Sequence, residues 1–97
     1  MSKKNYLWVK DMDESQRVGL TKEGQHALGD VKFVDLPIVG KDIHKGDSTG
    51  SVEAQKAVVE LQSPVSGKIV NVNDKLNDTP ELLNGSEEEA WLFEVNN

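Results

Sequence analysis

A chain of 97 residues holds one domain with a single modest core, and its 36% hydrophobic and 29% charged content is that of a globular protein. No apolar run approaches the roughly 20 residues that a spanning helix needs, so a membrane role is not expected, and the absence of cysteine excludes disulfides, thiolate metal sites and thiol nucleophiles. The net charge of -6, with Glu81, Glu87, Glu88, Glu89 and Glu94 all beyond the last lysine, disfavours nucleic acid, whose phosphates demand clustered Lys and Arg.

That acidic end suits partners with a basic docking face, and equally a solvated surface that keeps the protein soluble. The start, Met1-Ser2-Lys3-Lys4-Asn5, is positive but has no apolar segment behind it. It does not read as a secretory signal, and cytoplasmic residence is the default.

Tyr6-Leu7-Trp8-Val9-Lys10 reads as a strand, Asp11 to Ser15 as a polar turn, and Arg17-Val18-Gly19-Leu20 as the returning strand of a hairpin. Thr21 is placed to cap a short helix over Lys22 to Leu28, with Gly29 where a left-handed stop is wanted and Gly24 as a weak point inside. Val31 to Leu36 reads as a half-buried strand ending against Pro37, and a loop punctuated by Gly40, Gly46 and Gly50 follows.

The centre of the chain, Val52-Glu53-Ala54-Gln55-Lys56-Ala57-Val58-Val59-Glu60-Leu61, admits two readings. Its Glu, Ala, Gln, Lys and Leu favour a helix, with Ser51 as cap. The flanking breakers Gly46, Gly50, Pro64 and Gly67 and the β-branched Val58-Val59 favour two strands meeting at Gln55-Lys56. Such a turn lacks the Gly, Asn, Asp or Pro that two-residue hairpin turns prefer, and a turn that breaks its local rule marks a functional demand. Beyond it, Ile69 to Val72 reads as a strand, Asn73 to Asp78 as a polar stretch, Thr79 to Gly85 as one helical turn with Thr79 as its cap, Pro80 at its first position and Gly85 at its end, and Trp91 to Val95 as the last strand. A faint echo between Val39 to Ile43 and Val72 to Leu76 suggests two similar half-sheets joined by the central hairpin.

No catalytic constellation emerges. His26 and His44 stand in no Ser-His-Asp order and no His-Glu-x-x-His spacing, and Gly46-Asp47-Ser48-Thr49-Gly50 lacks the Gly-Lys-Ser/Thr ending of a phosphate loop. Lys56 stands out instead. A lysine that accepts a covalent group must sit on a rigid turn among small neighbours, so that a modifying enzyme reaches its ε-amine, and Gln55, Ala57, Pro64 and Gly67 meet that need.

Residues along nearly the whole chain resemble the H protein of the glycine cleavage system, a lipoyl carrier. The resemblance runs through Val18-Gly19-Leu20-Thr21, Ala27-Leu28-Gly29-Asp30-Val31, Phe33-Val34-Asp35-Leu36-Pro37, Ser63-Pro64-Val65-Ser66-Gly67, Asp78-Thr79-Pro80-Glu81-Leu82-Leu83-Asn84 and Trp91-Leu92. The family's acceptor pattern, Glu-Ser-Val-Lys-Ala, falls on Glu53-Ala54-Gln55-Lys56-Ala57, with Glu60 four residues on and Gly67 eleven. The resemblance implies a single lipoyl-carrier domain over residues 1–97, a mainly β, flattened barrel-sandwich fold with short helices, and a hairpin at the centre. It implies covalent lipoate on Lys56, flanked by Glu53, Ala54, Gln55, Ala57 and Glu60, on a carrier that is not itself an enzyme and holds no metal.

The implied partners are a lipoate ligase or lipoyl transferase, a glycine decarboxylase that loads the arm, an aminomethyltransferase that unloads it and a dihydrolipoyl dehydrogenase that reoxidises it. The chain departs from the family where Tyr6-Leu7-Trp8 stands for His-Glu-Trp, where Asn84-Gly85-Ser86-Glu87-Glu88-Glu89 stands for Asn-x-x-Pro-Tyr-Gly, and in lacking a carboxy-terminal helix. These departures resemble a short H-like branch, which implies a carrier in lipoate relay or redox signalling under ADP-ribosylation control, with macrodomain or ADP-ribosyltransferase partners. Two further readings stand beside it: a biotinyl carrier, since Glu53-Ala54-Gln55-Lys56 resembles Glu-Ala-Met-Lys, and an interaction module without a cofactor.

Overall fold

Eight strands and three short helical segments account for most of residues 6–96, which the computed structural model describes; the amino-terminal stretch read above for a signal, Met1 to Asn5, lies outside them. In chain order these are β1 (Leu7–Asp11), β2 (Ser15–Leu20), α1 (Lys22–Leu28), β3 (Val31–Asp35), β4 (Asp42–Ile43), β5 (Ser48–Ala54), β6 (Val58–Gln62), β7 (Gly67–Val72), α2 (Lys75–Asp78), a 3-10 helix (Pro80–Asn84) and β8 (Trp91–Asn96). A five-stranded sheet runs β1-β2-β8-β7-β4, and a three-stranded sheet runs β3-β5-β6. All the pairings are antiparallel. The mainly β expectation holds, with two sheets sandwiching a core and no continuous closed barrel.

Alternation along the strands explains the sandwich. In the larger sheet Val18, Phe93 and Val72 stand in one cross-strand row. In the smaller, Val34, Val52 and Val59 do the same. Both rows belong to one apolar cluster with Leu20, Leu28, Ile69, Leu83 and Leu92, in which the two sheets hide them from water.

α1 forms across Gly24 because its orphan amides are met. Thr21 Oγ1 accepts from the Gly24 N–H at 3.0 Å, and Glu87 Oε2 accepts from the Lys22 N–H at 2.6 Å.

Four local expectations need correction. The glycine-rich loop holds β4, two residues paired with β7, and Gly50 lies inside β5. A Cβ at Gly50 would overlap the Asp35 carbonyl oxygen, so glycine there serves the close approach of β3 and β5. The polar stretch after β7 contains α2, anchored by buried Leu76. The Thr79 hydroxyl makes no capping hydrogen bond to the 3-10 helix. The echo corresponds to no repeat, since Val39 to Ile43 leads into β4 whereas Val72 to Leu76 passes from β7 into α2.

Candidate site at the central hairpin tip

β5 ends at Ala54 and β6 begins at Val58, so Gln55 and Lys56 form the tip of a hairpin closed by the Ala54 N–H donating to the Ala57 carbonyl at 2.9 Å. Neither tip residue has a positive φ, which removes the need for glycine or asparagine. The tip is held from outside. The Gln55 N–H donates to the Asp30 carbonyl at 2.8 Å, and the Lys56 N–H donates to the Leu28 carbonyl at 3.0 Å. Both amides that face away from the ladder are therefore satisfied by the connection from α1 to β3, which fixes the backbone that carries Lys56.

That connection is itself clamped. Asn84 Nδ2 donates to the Gly29 carbonyl at 2.9 Å, and Asn84 Oδ1 accepts from the Val31 N–H at 2.9 Å. Gln25, buried on α1, donates from Nε2 to the Gly85 carbonyl at 3.0 Å. Gly29 lies at φ 75 and ψ -155, a region that only glycine occupies at low cost, where the sequence suggested an ordinary left-handed stop. A Cβ there would also lie 3.2 Å from Gln55 Oε1 and 3.4 Å from Lys56 Cγ.

The Lys56 side chain is exposed, and its Nζ donates to the His26 carbonyl near the end of α1 at 3.4 Å. Of its flanking residues, Ala54 is buried, Ala57 is half-buried, and Gln55, Glu53 and Glu60 are exposed. Small residues pack under the tip and charged ones point out. Glu53 and Glu60 share the outer face of the smaller sheet, because Glu53 pairs with Val58 and Ser51 with Glu60, and alternate residues face the same way.

Beside the hairpin lies a cleft of about 460 Å³, within the size range of small-molecule sites. Tyr6, Leu7, Leu20, Leu28, Val59 and Leu61 supply its apolar wall, and Lys45 and Glu60 are its charged residues. Leu28 connects the two features: its carbonyl holds the Lys56 amide and its side chain lines the cleft. A chain attached to Lys56 Nζ thus starts next to an apolar recess. Sequence reasoning singled out Lys56 and Glu60, and Leu7 as a departure from the family pattern, but not this cleft. It also assigned no task to Asn84 or to the Leu28 and Asp30 carbonyls.

His26 and His44 are exposed on different elements, and His44 Nδ1 lies 3.7 Å from Asp47. Among the described residues no group of three His, Cys, Asp or Glu is placed to hold a metal ion, and no helix is long and apolar enough to cross a membrane.

The sequence profile of the glycine cleavage H-protein family matches residues 1–97. The chain belongs to that family. It is 46% identical over 93 residues to the glycine cleavage system H protein of Thermotoga maritima, covering 95% of this chain and 75% of that relative. It is also 46% identical over 93 residues to the glycine cleavage system H protein of Oceanobacillus iheyensis, covering 95% and 74%. Among solved structures, a glycine cleavage system H protein from Mycobacterium marinum superposes with a TM-score of 0.86 at 37% identity, covering 94% of this chain and 77% of that one. The resemblance seen in the sequence is thus borne out, and with it the mainly β lipoyl-carrier fold. Members of the H-protein family are carriers that normally bear lipoate and work with the enzymes of the glycine cleavage system.

Proposed function

We propose that this chain is a lipoyl carrier with its attachment point at Lys56 Nζ, and that the attached arm rests in the cleft lined by Leu7, Leu28 and Val59. The observation that carries this reading is the placement of Lys56 on a turn whose two outward amides are both tied to the α1–β3 connection, beside an apolar recess. An acceptor lysine needs both a rigid base and an accessible amine. The residues fit a lipoyl group, since its hydrocarbon and dithiolane are apolar and Leu7, Leu20, Leu28, Val59 and Leu61 give the cleft an apolar wall.

When bound, lipoate supplies a disulfide–dithiol couple that a cysteine-free chain cannot provide. The protein's own contribution is positional. The tip holds the arm's origin still, and Leu28 and Val59 offer a surface that excludes water, while Glu60 at the cleft's edge turns its side chain to the outer face of the smaller sheet. Its partners are then a lipoate ligase or lipoyl transferase and the decarboxylase, aminomethyltransferase and dihydrolipoyl dehydrogenase of glycine cleavage, and it works in the cytoplasm.

Leu7 favours a second reading. It lines the cleft with an aliphatic side chain, and Glu60, the acidic residue of that lining, stands on the outer face of its strand. A lining with an aliphatic Leu7 in that place suits an H-like carrier for lipoate relay or redox signalling, with macrodomain or ADP-ribosyltransferase partners. Affinity capture with the lipoylated protein separates the two partner sets.

Intact-mass measurement after incubation with lipoate, ATP and a lipoate ligase tests the attachment itself. One lipoyl group is expected, and none on Lys56→Arg. Modification that persists in Lys56→Arg refutes the site, and a streptavidin signal after treatment with a biotin ligase would replace lipoate by biotin.

A further inference from the structure

Phe33 and Val58 are 68% and 70% exposed, although each stands in a strand of the smaller sheet. The register makes them neighbours of one residue. Phe33 pairs with Glu53 on one side and Val58 pairs with Glu53 on the other, so the three form a single cross-strand row on the outer face. The next row on that face is Asp35, Ser51 and Glu60. Side chains in such rows stand about 5 Å apart. Two uncovered apolar side chains therefore lie among three carboxylates, Asp35, Glu53 and Glu60, none of which has an ion-pair partner among the described residues. The row closest to the tip begins two residues from Lys56, at Val58.

The geometry points to this face as the docking surface for the enzyme that acylates Lys56. The inference rests on the attachment reading above. Before modification the acceptor is a lysine on its four-carbon stem, so the enzyme must come into contact with the hairpin itself to reach Nζ. One flank of the tip is covered by the α1–β3 connection, which already holds both tip amides. The outer sheet face is the uncovered flank. In the transfer, the neutral Nζ attacks the carbonyl carbon of an acyl adenylate, the amide bond forms, the bond to phosphate breaks and AMP leaves; the original ammonium has then given up two protons to solvent or base. The occupying surface should offer an apolar recess for Phe33 and Val58 and a rim of Lys or Arg for Asp35, Glu53 and Glu60, since buried aromatic anchors supply affinity and complementary charge supplies approach and register.

Steady-state lipoylation with a purified lipoate ligase, ATP and lipoate tests this. Wild type, Phe33→Ser, Val58→Ser, the double variant and Val70→Ser are compared, the last removing an exposed valine from the other sheet. The KM for the carrier should rise about tenfold in the double variant, the effect of losing roughly 1.4 kcal/mol of binding, with kcat and melting temperature unchanged. Val70→Ser should behave as wild type. Lys56→Arg protein, which cannot be acylated, should compete with wild type for the ligase, and Lys56→Arg carrying both Phe33→Ser and Val58→Ser should compete about tenfold less well. An unchanged KM, an equal rise in Val70→Ser, a loss confined to kcat, or equal competition by both Lys56→Arg proteins overturns the docking face while leaving the attachment site standing. Failure of wild type to accept any lipoyl group overturns the attachment reading and this one with it.

Discussion

Asn84 reaches 55 residues back along the chain to hold Gly29, its Nδ2 donating to the Gly29 carbonyl at 2.9 Å. The same side chain accepts from the Val31 N–H, so one amide spans the connection whose Leu28 and Asp30 carbonyls hold the tip that carries Lys56. The 3-10 helix and the hairpin tip are thereby linked through a loop that belongs to neither.

Removing that amide should loosen the tip without touching it. Asn84→Ala leaves a partly buried carbonyl and amide unpaired and should lower stability by about 1 to 3 kcal/mol, read as a shift of the urea midpoint. Amide hydrogen exchange at Gln55 and Lys56 should accelerate more than at Val52, which lies in mid-strand. Asn84→Asp keeps the acceptor for Val31 but sets a carboxylate against the Gly29 carbonyl, so its loss should fall hardest on the Gly29 side. Equal exchange at Gln55 in Asn84→Ala and wild type would show that the clamp does not reach the tip.

The strands were legible where the sequence alternates and is long enough to show it. Val52, Ala54 and Leu61 fall on the core side of β5 and β6 while Glu53 and Glu60 fall outside. β4 was invisible because two residues carry no period, and its strand character comes from pairing with β7. α2 was hidden because a single buried leucine, Leu76, marks it within a polar stretch. At the site, Lys56 was legible from its small neighbours. The contacts that fix it were not, since carbonyls carry no residue identity and Asn84 lies far away in sequence. Leu7, Leu20, Leu28 and Val59 fall on four separate elements, and only the folded chain reveals that they leave a cleft among them.

Arg17 and Glu94 pair across β2 and β8, with Nε donating to Oε2 at 2.8 Å. Trp91 lies under the guanidinium, 4.6 Å from ring centre to Cζ, and Asn71 donates to the other carboxylate oxygen at 3.3 Å. Because Glu94 is buried, Arg17→Met strands a charge and should cost about 2 to 3 kcal/mol. Adding Glu94→Gln, which removes the charge but keeps an acceptor for Asn71, should recover most of that loss. Urea unfolding of the two single variants and the double closes the cycle, and a double variant no more stable than Arg17→Met would assign the loss to the stacking on Trp91.

The cleft can shield an arm only if its wall is dry, and Leu7→Glu measures that. Leu7 is half-buried and pairs with Leu20, so an introduced carboxyl would face the aliphatic lining, with Lys45 and Glu60 as the charged residues of the same cleft. Desolvation should raise its pKa in the folded state above the unfolded value of roughly 4.3, and exposed Lys45 should offset this in part. With the folded pKa raised, the native state binds more protons than the unfolded state between the two values, so stability falls as pH rises through that window. The stability difference between wild type and Leu7→Glu should therefore be small near pH 4 and widen toward neutrality, by about 1.4 kcal/mol for each unit of upward shift. Urea midpoints for both proteins from pH 4 to pH 8 provide the comparison, in which the carboxylates common to both cancel. A difference that stays flat would mean that water reaches Leu7 freely, and the cleft would then offer no shelter to a lipoyl group on Lys56.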